Sequence, residues 1–175
     1  MFVGGYWSQR KESNEVVSGR AAGFLAALAL QGPEFSTWYS KGWSRKEALR
    51  SPLAVDAASI SRALTVNRRE TDRQPISELG FSLSIWNGSS ASFSGTLGGW
   101  SQRVGNHVIL TLGVQDRHGP DWYRTVLNEL VRSFDPDHGV VRREASLTKR
   151  RTLHPWDEGM FTYHRGGVIE AHPFD

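Results

Sequence analysis

The stretch FSLSIW at residues 81–86 alternates without a break. Phe81, Leu83 and Ile85 fall on one side, and Ser82, Ser84 and Trp86 on the other, which is the period-two pattern of a strand. Asn87-Gly88 follows as a turn signal, and ASFSGTLGG (91–99) then reads as the antiparallel return. HVILTLGV (107–114) is nearly all apolar and reads as a central strand. A chain with this middle must build a mainly antiparallel sheet, so the remaining segments have to supply the layer that packs on it.

The flanking segments read as follows. FVGGYW opens the chain as a strand whose glycine pair points to a bulge or close packing. A helix follows, capped by Ser13, with Glu12 and Glu15 at its positive end and Val17, Ala21, Phe24 and Leu28 at helical spacing. Gly32-Pro33 stops it. Pro33 then starts a short helix that places Phe35, Trp38 and Tyr39 on one face, and Gly42 breaks it. Ser44 and Glu47 form a capping box for a second short helix, and helical spacing turns Phe35, Trp38 and Leu49 toward the core. Another helical turn or two begins near Asp56 and carries Ile60 and Leu64. PDWYRTVLNELVRSF (120–134) is a helix with Trp122, Val126, Leu130 and Phe134 on one face, ended by Asp135-Pro136-Asp137. HGVVRREASL and MFTYHRGGVIEA read as strands, with Arg165-Gly166-Gly167 as a turn. The expected fold class is α+β, a helical N-terminal part packed on a mainly antiparallel β-sheet, in one domain over residues 1–175.

Composition narrows the function. There is no cysteine, which excludes disulfides, thiolate nucleophiles and cysteine-ligated metals and fits a cytoplasmic protein. The N-terminus lacks the pattern of a signal peptide, and the longest apolar stretch, AAGFLAALAL, is too short to span a bilayer, so no membrane association is expected. The net charge is +3, but 18 acidic residues stand among 21 Lys and Arg, so the basic balance is mild.

No motif asks to be an active site. The six histidines include no HExxH pair, and His154 to Glu158 with His164 has no recognised metal spacing. Asp137 after Pro136, followed by Glu144-Ala145-Ser146, resembles a restriction-endonuclease-like metal motif but lacks its lysine, and reads better as a turn entering a strand. No nucleophile elbow or phosphate loop occurs, and no cofactor is expected. Arg142, Arg143, Lys149, Arg150 and Arg151 form the strongest basic cluster, which keeps a nucleic-acid-binding module as the rival reading. Arg142 and Arg143 point to opposite faces of a strand, which weakens it.

One string carries a resemblance. Trp38-Tyr39-Ser40-Lys41-Gly42-Trp43-Ser44-Arg45-Lys46-Glu47-Ala48-Leu49 resembles the immunity protein 52 family of bacterial polymorphic toxin systems. So do Gly5-Tyr6-Trp7 with Arg10 and Glu12-Ser13, the helix carrying Phe24-Leu25 and Leu28, GFSLSIWNG, and WYRTVLNELVRSFDPDHGVV. The resemblance implies a non-enzymatic inhibitor that binds a cognate toxin encoded beside it. For this family those toxins look like restriction-endonuclease-fold nucleases, delivered by secretion systems between competing bacteria. It carries over no catalytic residues. Tyr39, Lys41, Trp43 and Arg45 are the first interface candidates, with Trp100 and with Trp122 beside Asp121 as further anchors, because Trp, Tyr and Arg dominate binding hot spots, although Trp122 fits the core face of its helix better. A basic inhibitor does not suit simple mimicry of DNA against a basic nuclease cleft.

Overall fold

The structure, a computed structural model, describes residues 1–41, 44–69, 71–113, 118–142 and 160–172. In chain order the elements are β1 (Phe2–Trp7), α1 (Asn14–Ala29), β2 (Trp38–Ser40), α2 (Arg45–Ala48), β3 (Pro52–Leu53), α3 (Ala57–Ala63) and β4 (Thr65–Val66). Then follow β5 (Phe81–Trp86), β6 (Ala91–Leu97), β7 (Asn106–Leu112), α4 (Pro120–Phe134), β8 (His138–Arg142), β9 (Phe161–His164) and β10 (Glu170–Ala171). Among the described residues, ten strands join one sheet in the order β10-β9-β8-β1-β7-β6-β5-β2-β3, with β4 also paired to β5. Every pairing is antiparallel. The fold is α+β. Among the described residues no helix is long and apolar enough to cross a membrane.

Most elements stand where local chemistry puts them. Ser13 caps α1 by accepting from the Val16 N–H, Ser44 caps α2 by accepting from Glu47, and Asp56 caps α3 by accepting from Ser59. Pro120 sits in the first turn of α4, and Asp135 ends it in the left-handed region at φ 48°. The Asn87 side chain closes the β5–β6 turn, its Oδ1 accepting from Ser89 and Ala91.

The segment after Gly32 departs from the sequence expectation. Only Pro33–Phe35 forms a turn of 3₁₀ helix, and Trp38–Ser40 is a strand. Pairing of Tyr39 with Trp86 and of Ser40 with Ile85 overrides the helical spacing. Trp38 and Tyr39 therefore point to opposite faces rather than one. Trp38 is fully buried, its Nε1 donating to the Phe35 carbonyl at 2.8 Å, as Phe35 itself is buried. Leu49, expected in the core, is 43% exposed because α2 ends before it.

The core lies between one face of the sheet and the long helices α1 and α4. Val3, Trp7, Leu83, Ile85, Phe93, Leu97, Val108, Leu110 and Val141 point into it. Phe24 of α1 and Phe134 of α4 meet Phe93, with ring centroids 5.3 and 6.2 Å away. Gly5 is where α4 comes closest to β1. A Cβ there would intrude on Leu130 Cδ2 and meet Pro136 Cβ at 3.4 Å. Arg10 and Arg20 both donate to the terminal Phe134 carbonyl of α4, and both pair with Glu12, at 3.4 and 3.1 Å. This charged clasp fixes the chain leaving β1 against the C-terminal end of α4.

Candidate partner-binding surface

Alternation sends the other half of each strand to the face opposite α1 and α4. The outward positions are Phe2, Gly4 and Tyr6 on β1, Ser82, Ser84 and Trp86 on β5, Ser92, Ser94 and Thr96 on β6, and His107, Ile109 and Thr111 on β7. None of these twelve is Asp, Glu, Lys or Arg. Toward β8 and β9 this face is buried at Val140 and Thr162, whereas most outward positions on β5, β6 and β7 keep partial exposure. Depletion of charge around the partly exposed Tyr6 and Trp86 is a feature shared with interface centres, whereas the four outward serines are not.

Two features mark the face. The first is a row across adjacent strands, Thr96, His107, Tyr6, His138 and His164, each opposite the next. Tyr6 lies 6.3 Å from His107 and 6.4 Å from His138, and His138 lies 4.9 Å from His164, ring centre to ring centre. Tyr6, His107 and His138 line a concavity of about 330 Å³ together with Trp7, Asn106 and Asp137. Burial pushes the His107 pKa down, against a raising hydrogen bond with the Gly105 backbone, so the imidazole is neutral at neutral pH. Burial pushes the Tyr6 phenol up, with Arg142 opposing, so it keeps its proton.

The second feature is an aromatic corner. Tyr39 on β2 faces Trp86 on β5, with ring centroids 6.2 Å apart, and the Arg45 guanidinium lies over the same indole at 5.7 Å. Trp86 Nε1 donates to the Ser89 carbonyl at 2.9 Å, which fixes the ring. A shallow concavity of about 290 Å³ is lined here by Lys41, Ser44, Arg45, Ala48 and Trp86.

Of the residues singled out from sequence, Tyr39, Lys41 and Arg45 come together at this corner. Trp43 lies outside the described residues. Trp100 follows β6 at the end of the strands remote from Trp86, with the Lys11 ammonium 4.8 Å over its ring. Asp121 is exposed in the first turn of α4, in the helix layer. Trp122 beside it packs inward against Phe35 at 5.6 Å and His118 at 3.8 Å. Neither Trp100 nor Asp121 joins the corner. Trp86 was missed, although a tryptophan on the polar side of an alternating strand was the signal for it.

The chemical decoys resolve as structure where they are described. Asp137 accepts from the Ser8 N–H and Oγ at 2.7 and 2.8 Å and pairs with Arg165 at 3.1 Å. Its burial favours the neutral acid, but the Ser8 hydrogen bonds, Arg165 and Arg10 outweigh that and hold the pKa below the usual carboxylate value. It therefore ties the entry of β8 to the end of β1. Glu144 and Ser146, residues 154–158, and the basic cluster beyond Arg142 lie outside the described residues. Among the described residues no group of three or more His, Cys, Asp or Glu is placed to hold a metal. Arg69 pairs with Asp72 at 3.0 Å within its own turn.

Comparison with curated proteins gives no match. The family model described as Immunity protein 52 matches residues 1–164, which runs from β1 through β9. Such a family points to a toxin as the partner and to a role without catalysis. The chain belongs to the immunity protein 52 family.

Proposed function

We propose that this protein acts as one domain in the cytoplasm, where it binds and neutralises a cognate secreted toxin. We take the toxin to be a nuclease of restriction-endonuclease fold delivered between competing bacteria. Inhibition is non-catalytic association, centred on the partly exposed sheet face and its aromatic corner. Family membership over residues 1–164 carries this reading. Tyr39, Arg45 and Trp86 support this surface, because they combine the residue types of binding hot spots beside outward positions of β1, β5, β6 and β7 that carry no Asp, Glu, Lys or Arg.

The test is a nuclease assay with the toxin encoded beside this chain. Titrating in the purified protein is expected to abolish DNA cleavage at one stable stoichiometric ratio, as a tight inhibitor does. Full inhibition by a small fraction of an equivalent would indicate turnover, and undiminished cleavage at excess would remove the cognate-inhibitor reading for that pair.

A further inference from the structure

Exposed cations without an ion pair occur at several places on the described surface, Lys46, Arg50, Arg68 and Arg73 among them, but the aromatic corner sets two of them beside an apolar concavity. Arg10, Arg20, Arg69, Arg132 and Arg165 each pair with a carboxylate. Lys41 and Arg45 have no ion-pair partner among the described residues, and both are exposed on the 290 Å³ concavity. Its floor is apolar, made by Ala48 and the Trp86 indole, and Glu47 is not among the residues that line it. The guanidinium is held in place over that indole, 5.7 Å from the ring centroid, with Nη2 3.5 Å from the Gly88 carbonyl oxygen. Two cations beside an apolar floor, one of them held over the indole, attract a carboxylate next to an apolar side chain and repel a basic surface.

We infer that this corner receives an acidic stretch of the toxin, in which an apolar side chain sits against Trp86 and Ala48 and neighbouring Asp or Glu carboxylates reach Lys41 and Arg45. The inference rests on the toxin-binding reading and states the chemistry of the toxin's epitope. It places that epitope away from the basic groove with which a nuclease holds DNA. The chain then works by obstruction or by holding an inactive form, without imitating DNA, and its own basic balance ceases to be an anomaly.

The experiment is stopped-flow association of the full chain with the catalytically inactivated toxin domain from the neighbouring gene, at low and high ionic strength. For the wild type, the association rate is expected to fall as salt rises. The double variant Lys41→Glu/Arg45→Glu is expected to associate about tenfold more slowly at low salt, with the gap closing toward about 0.5 M salt, where screening shortens to a few ångströms. Lys41→Glu alone, at an exposed position, is expected to move the rate the same way by less, with an unchanged melting temperature. Equal or faster association of both variants overturns the inference while the wild type still binds. Failure of the wild type itself to bind overturns the toxin-binding reading, and this inference with it.

Discussion

Gly5 and Leu130 offer a strict test of how β1 is seated under α4. A methyl group on Gly5 intrudes on Leu130 Cδ2, with Pro136 Cβ at 3.4 Å and Cγ at 3.5 Å leaving no room on the other side. Leu130 is fully buried, so its methyl must retreat roughly 1 Å into packed surroundings to regain an ordinary carbon–carbon contact. Overpacking of this kind costs about 2 kcal/mol for Gly5→Ala. Leu130→Ala removes buried volume and costs about 3 kcal/mol. In the double variant the new methyl faces the space that Leu130 vacated. The combined cost is therefore expected to fall short of the additive value of about 5 kcal/mol by about 1–2 kcal/mol. Urea unfolding of the four proteins measures this, and the single Gly5→Ala change should lower the melting temperature by about 4–8 °C. Additivity within about 0.5 kcal/mol would refute the close approach of α4 to β1. That approach matters for the surface, because the neighbouring Tyr6 projects to the outward face from the same strand.

Three further outcomes are expected. Trp86→Ala should weaken toxin binding by about 2 kcal/mol, roughly thirtyfold, with the circular dichroism spectrum retained, and an unchanged calorimetric affinity would remove Trp86 from the interface. Burial holds the folded His107 pKa below its ordinary value of 6.5, so the unfolded chain takes up the proton first as pH falls. The contribution of His107 is thus complete above about pH 6.5 and is lost as pH drops through the lower folded value. Melting curves should show a shallower loss over that window for His107→Gln, and identical slopes would contradict the burial of this ring. Gly80 has φ 68° and ψ −145°, and a Cβ there would intrude on the Leu97 carbonyl and lie 2.5 Å from the Gly99 nitrogen. Gly80→Ala should cost about 3 kcal/mol, and a melting temperature within about 2 °C of wild type would count against this geometry.

The fold is legible in the sequence where local signals agree with it. Helix α4 has the bounds that its apolar spacing, Pro120 and the Asp135-Pro136-Asp137 stop indicate. The β5–β6 hairpin follows from strict alternation around Asn87-Gly88, and β7 does lie inside the sheet, between β1 and β6. Strand β2 is not legible in this way, because residues 35, 38 and 39 imitate a helical face. The strand that claims them, β5, lies more than forty residues away, and only tertiary pairing reveals it. Leu49 was misplaced by the same local logic. Of the surface, the residue types of the aromatic corner were legible, but their convergence on Trp86 depends on the register of β2 against β5. The row through His107, Tyr6, His138 and His164 draws on four strands spread over most of the chain, so its members carry no spacing that a linear reading can detect.

Neutralisation of the toxin by tight association, without chemistry, is the proposal on which the binding expectations depend. Titration calorimetry between the purified protein and an inactivated form of the neighbouring toxin, at physiological salt, tests it most directly. Nanomolar or tighter binding with a fixed stoichiometry, weakened by Trp86→Ala, is expected. Absence of any association between two folded partners would contradict it.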